Sequence, residues 1–233
     1  LWLTLLGINA NRRFAPDKEN HMKNLKMLGL AAIAALGLMA FVGAGTASAT
    51  TLSTDAAGTV KYGVGTEISS SLKAETSALL ETTAGEKIAT CTTSSVGGKI
   101  TTATGTWVTG TLESLTWGDP EGKNCSQPTK SLVTEEVEGK KYYGKLEIMK
   151  TGADEGEVVG KNSSVTLSVF GVSCVYGTSA EGNKLGTVKG GEAPELVINA
   201  VLPKKEGGFL CPSSGRWTAT YIVTTPHALH VVE

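Results

Sequence analysis

Side chains that do chemistry are scarce in this sequence. Only three of its 233 residues are histidine, and just two of those, His227 and His230, lie beyond position 49. They stand three apart in "PHALH". On a terminal strand such residues point to opposite faces, so they cannot grip one ion and read as surface histidines. No C-x-x-C pair occurs, and the four cysteines are spaced too widely for zinc. The G-x-S-x-G elbow that presents a nucleophilic serine is missing as well. The acidic clusters, Glu135, Glu136 and Glu138 and then Asp154, Glu155 and Glu157, lack the D-x-D-x-D-G pattern of a calcium loop. They read as solvated turn charges, not as a carboxylate pair across a sugar cleft. A basic track is missing too. Of 21 Lys+Arg and 22 Asp+Glu, 16 and 20 lie beyond position 49, a net charge of −4 there. The pair Lys140 and Lys141 follows three glutamates and fits a charged hairpin face. The expectation is a protein with no catalytic residues, no cofactor, no metal and no nucleic-acid partner.

What is present begins with "MKNLKMLGLAAIAALGLMAFVGAGTASA", residues 22–49. Lys23 and Lys26 precede an apolar run from Met27 to Val42, and Ala47-Ser48-Ala49 places small residues where signal peptidase reads. The run is shorter than the roughly 20 residues a bilayer core needs. It therefore reads as a helical signal peptide cleaved after Ala49. Residues 1–21 start with Leu and precede a complete leader at Met22, so they read as an over-extended, disordered start. No cysteine stands at the cleavage site and no apolar tail follows Val232, so the processed chain is expected to carry no stable membrane anchor. Secretion to the medium or the cell surface follows from this reading.

Residues 50–233 form one expected domain of 184 residues, enough to bury a core. All four cysteines, Cys91, Cys125, Cys174 and Cys211, lie within it, and an even number in an exported chain argues for two disulfides. Three pairings are open. Cys91–Cys125 with Cys174–Cys211 is preferred because each joins neighbouring segments; each loop of roughly 35 residues contributes about 3–4 kcal/mol in the chain-entropy account.

Period-two alternation recurs along the domain. Val165, Leu167 and Val169 share a face, as do Leu196, Ile198, Ala200 and Leu202, and Trp217, Ala219, Tyr221 and Val223. Each set reads as a half-buried antiparallel strand. "KITTATGTWVTGTLESLTW" reads as two strands parting near Gly105 or Gly110, and "SLKAETSALLE" as two short strands or a strand and a turn. Asp119-Pro120-Glu121-Gly122 fits a type I turn, and Glu138-Gly139-Lys140 a tight hairpin. "TGADEGEVVGKNSS" reads as a loop. Helical periodicity is nearly missing. Eight to eleven short strands at this spacing predict an all-β fold, an antiparallel β-sandwich with Greek-key or jelly-roll connections. Trp107, Trp117 and Trp217 could form a stacking platform for sugar rings, although burial in the core is the commoner fate of tryptophan.

The order "IATCTTSS", "GTLESLTWGDPEGKNC", "VFGVSCVYG", "LVINAVL" and "GFLCPSSGRWTATYIVTTP" resembles a group of uncharacterised exported, β-rich, four-cysteine proteins of actinobacteria. More distantly it is similar to the PraB-type family, also called activator of alkane oxidation. That resemblance implies small surface-associated β proteins linked to extracellular fibres, and it carries over no catalytic residue. The expected function is an exported structural or interaction protein, a subunit of a surface or matrix assembly. It would dock with itself or other surface proteins by strand addition at residues 52–62 or 228–232. The alternative is a secreted binding module for glycans or apolar ligands.

Overall fold

The computed structural model describes residues 48–118, 123–169 and 171–233. Most of the expected leader, with Ala47, and the Asp119–Gly122 turn lie outside the described residues; Ala49 directly precedes the first strand. In chain order the strands are β1 (Thr50–Ser53), β2 (Glu67–Leu72), β3 (Ala78–Glu81), β4 (Lys87–Cys91), β5 (Ser94–Thr102) and β6 (Thr104–Gly105). There follow β7 (Val108–Trp117), β8 (Thr129–Ser131), β9 (Glu135–Val137), β10 (Lys140–Tyr142), β11 (Lys145–Gly152) and β12 (Glu155–Lys161). The chain ends with β13 (Ser164–Val169), β14 (Val172–Gly177), β15 (Asn183–Lys189), β16 (Glu195–Glu206), β17 (Ser214–Thr225) and β18 (His230–Val232). Among the described residues there is no helix.

The expected sandwich is replaced by a closed barrel. Eight strands pair in the order β2-β5-β7-β11-β12-β15-β16-β17, each antiparallel to the next and in chain order. The ring closes because β17 bonds β16 along one edge (Ala200↔Trp217, Ile198↔Ala219) and β2 along the other (Tyr221↔Leu72, Val223↔Ser70). Closure removes the open edges that a sandwich leaves on each sheet. Alternation alone cannot distinguish the two, since either architecture buries one face of every strand.

The inward faces fill the barrel with Val96, Ile100, Val108, Leu112, Leu146, Val158, Leu196, Ile198 and Val223, among others. Strand β12 lies inside the stretch read from sequence as a loop. Its inward positions are Gly156, Val158 and Gly160, all buried, while its acidic and lysine residues face outward. The two glycines carry no apolar signal, yet the packing requires them. A Cβ at Gly160 would stand 2.6 Å from Leu185 Cδ1, and one at Gly156 would stand 2.9 Å from Ile148 Cγ2. The β9–β10 hairpin turns tightly at Glu138 and Gly139, both with positive φ, as its sequence indicates.

Strands β16 and β17 run beyond the ring. Their extension bonds the β3–β4 hairpin through β17 and the β14-β13-β8 sheet through β16. At the other mouth a three-stranded sheet, β18-β1-β6, joins the two ends of the domain, with Thr51 opposite Val232 and Leu52 opposite Val231.

Candidate functional site: barrel interior, clasped lid and braced tip

Cys91 is joined to Cys125, and Cys174 to Cys211. The first bond fastens residues 124–126 along the outer edge of β4, where Ser126 N–H donates to Thr90 O and Thr92 N–H to Asn124 O. The second ties β14 to the loop between β16 and β17. That loop, "EGGFLCPSS", is held further by Lys204, whose Nζ donates to Gly208 O at 3.3 Å and Cys211 O at 3.2 Å. Its tip nonetheless presents Phe209 at 94% exposure and Leu210 at 46%. Apolar exposure continues on the outward face of β16 at Val201 and Val197. Disulfides of this kind are compatible with an extracellular location.

Beside the tip opens a groove of about 800 Å³ whose walls include Leu115, Trp117, Pro128, Tyr143 and Leu167 and whose rim reaches Ser173. The loop packs on that same residue, since a Cβ at Gly207 would lie 3.0 Å from Ser173 O. Knob and groove therefore share one end of the molecule. Sequence reasoning missed both; the one available signal was the run Phe209-Leu210 beside a cysteine in an otherwise polar turn.

The tryptophans do not form a platform. Trp117 and Trp217 are 6% and 7% exposed, with ring centroids 5.2 Å apart, and Trp217 meets Tyr221 edge-on at 6.4 Å. They pack in the interior because both lie on the inward register of long barrel strands. Trp107, just before β7, is half-buried and stands apart from that cluster. Tyr221 is fully buried, and this burial holds its hydroxyl well above the ordinary tyrosine range; a 2.9 Å hydrogen bond with Ser94 pulls the other way.

Among the described residues, two cavities lie inside the barrel. The larger, about 90 Å³, is lined by Ile68, Ile100, Val108, Ile148 and Val158 and is closed at the lid by Leu52 and Leu229. The smaller, about 30 Å³, lies toward Trp117, Ser163, Tyr176 and Trp217. Val96, Leu112, Leu146 and Leu196 belong to both walls.

The lid is clasped by Asp154, in the tight turn between β11 and β12. Its Oδ1 accepts Val231 N–H at 2.8 Å and its Oδ2 pairs with His230 Nδ1 at 2.7 Å. His230 is thus buried at 8% exposure, where the sequence reading expected a surface residue, and Asp154 is a partnered anchor where a solvated charge was expected. Of the two described histidines, His227 alone is exposed. Ser53 stands opposite His230 in the β1–β18 pairing. The residue types of a hydrolytic triad are therefore neighbours, but Ser53 is fully buried and its hydroxyl donates to Asp55 O at 2.5 Å. No substrate carbonyl could reach it, so the cluster acts as a structural clasp. The end strands offered by the sequence as docking edges are paired with each other. The outward N–H of Val231 is already taken by Asp154.

Two carboxylates, the half-buried Asp55 and the exposed Glu233, steady the same mouth. Thr59 Oγ1 donates to Asp55 at 2.6 Å, and that bond with the Thr59 and Val60 amides holds the Asp55 carboxyl down at about 2. Bonds from Ser48 and Lys150 lower Glu233 likewise. Among the described residues no group of three or more His, Cys, Asp or Glu is placed to hold a metal ion. No family model matches the chain, and neither a curated protein nor a solved structure matches it.

Proposed function

We propose that the chain is an exported cell-surface or extracellular interaction protein, a rigid subunit that associates with a second copy of itself. The observation that carries this reading is Phe209, an aromatic ring left 94% exposed on a loop held by a disulfide and two lysine–carbonyl bonds. A fixed, exposed aromatic loses little conformational entropy on docking, which is the property of an interface anchor. The occupant is a second copy because the receiving surface lies on the same chain. The base of the loop, at Gly207 and Cys211, and the groove border one residue, Ser173, and a two-fold axis through that end would seat each Phe209-Leu210 in the other's groove. Export rests on the leader at residues 22–49 and is supported by the two disulfides. The resemblance of the order of cysteine strands to that of surface-associated β proteins is in keeping with this reading. Glycan stacking loses its basis with Trp117 and Trp217 inside the core.

The test is molar mass by light scattering on the oxidised protein starting at Thr50, over a range of concentrations. The expected result is a dimer for the native protein and a monomer for Phe209→Ser with Leu210→Ser, at unchanged thermal stability. A native monomer at every concentration, or a variant that associates as well as the native chain, would overturn the reading.

A further inference from the structure

The barrel interior holds an unusual combination: aliphatic space beside a polar donor with no acceptor among the described residues. Trp117 is 6% exposed, and its indole N–H finds no partner among the described residues. Ser163, whose buried Oγ also lacks one, lines the same small cavity of about 30 Å³. A buried N–H without a partner is costly, and proteins rarely leave one. The neighbouring cavity of about 90 Å³ is walled by aliphatic side chains. The side chains of Val96, Leu112, Leu146 and Leu196 line both spaces, and aliphatic groups can change rotamer.

We infer that the barrel binds a small apolar molecule carrying one acceptor oxygen, such as a short-chain ketone. Its hydrocarbon body fills the larger cavity, and its oxygen accepts the Trp117 N–H with the Ser163 hydroxyl nearby. An apolar cavity of roughly 150 Å³ admits benzene, so the two spaces here suit a guest of about four to six heavy atoms. Access is through the lid mouth, where Leu52 and Leu229 close the larger cavity and Asp154 clasps β18. The site needs neither the Phe209 tip nor self-association.

The test is titration of the oxidised, nitrogen-15-labelled protein with 2-butanone, following the indole N–H signals by NMR, with xenon as a probe that has no acceptor. The expected result is a saturable shift of the Trp117 signal with butanone and none at the half-buried Trp107. Xenon should perturb only methyl groups of the larger cavity. Val158→Ile, which fills that cavity with one more methylene, should weaken butanone binding at least tenfold. A butanone response that never saturates, or that is equal at Trp107 and Trp117, would overturn the inference. So would a long-lived water that stays in contact with the Trp117 N–H throughout the titration. These readouts on the native protein stand even if the variant fails to fold.

Discussion

Replacing Leu112 with alanine tests the packed interior at its centre. Leu112 is 5% exposed and stands in the walls of both cavities. The truncation forfeits about 2 kcal/mol of transfer free energy at roughly 0.8 kcal/mol per buried carbon group. A rigid ring of eight strands cannot collapse around the hole. The lost side chain therefore leaves about 80 Å³, worth about 2 kcal/mol more at roughly 24 cal/mol per Å³. The expected loss is about 4 kcal/mol, which lowers the melting temperature by roughly 8–16 °C in a domain of this size. Val201→Ala, on the outward face of β16, should change stability by less than about 0.5 kcal/mol. The enlarged void joins the two cavities into about 200 Å³, so saturating benzene should restore part of the lost stability. Urea titration of both variants, with and without benzene, measures each quantity. A loss under about 1.5 kcal/mol without a benzene response would mean that Leu112 does not face a closed interior.

Three further outcomes follow from the clasp and the titrating groups. Asp154→Ala leaves the Val231 N–H unpaired, with an expected loss of about 1–3 kcal/mol and faster amide exchange at Leu52 and Val231; Asp154→Asn, which keeps an acceptor and tolerates positive φ, should lose less. The Asp55 carboxyl lies near 2 in the folded chain against 3.8 ordinarily, and Glu233 is lowered too. Their contribution is thus complete above the unfolded value and fades as pH falls through the folded one, so the protection of the Thr59 and Val60 amides, relative to their intrinsic exchange rates, should fall between about pH 4 and pH 2. Tyr221 is shifted the other way: its stabilising share is complete below the ordinary tyrosine value and declines as pH rises beyond about 10. Tyrosinate absorbance at that residue should arise only with unfolding, as comparison with Tyr221→Phe will show.

Much of the strand content was legible because one face of each strand meets the interior, and β13, β16 and β17 print that face as strict alternation. What escaped reading has physical reasons. Strand β12 hides its inward face in Gly156 and Gly160, which are small because Ile148 and Leu185 crowd them. Barrel closure rests on β17 meeting β2, a pairing of residues about 150 positions apart such as Val223 and Ser70, and no local pattern encodes it. The clasp joins Asp154 to His230 over 76 positions, and each alone resembles an ordinary polar residue in a turn or terminal strand. The tryptophans show the converse. Their alternating context in β7 and β17 pointed to the core, and Trp117 and Trp217 lie there. The exposed tip was written in the sequence as Phe209-Leu210, but only its bracing by Cys174–Cys211 separates an anchor from a loose loop.

The proposed association is tested most directly by placing a photoreactive benzoylphenylalanine at position 209 of the oxidised protein. After illumination, cross-linked species are separated and the joined peptides identified by mass spectrometry. The account predicts one dominant dimer in which position 209 is bonded to the groove of the other copy, within residues 115–117, 128–131 or 166–168. Monomer alone, or cross-links scattered over unrelated surfaces, would contradict it.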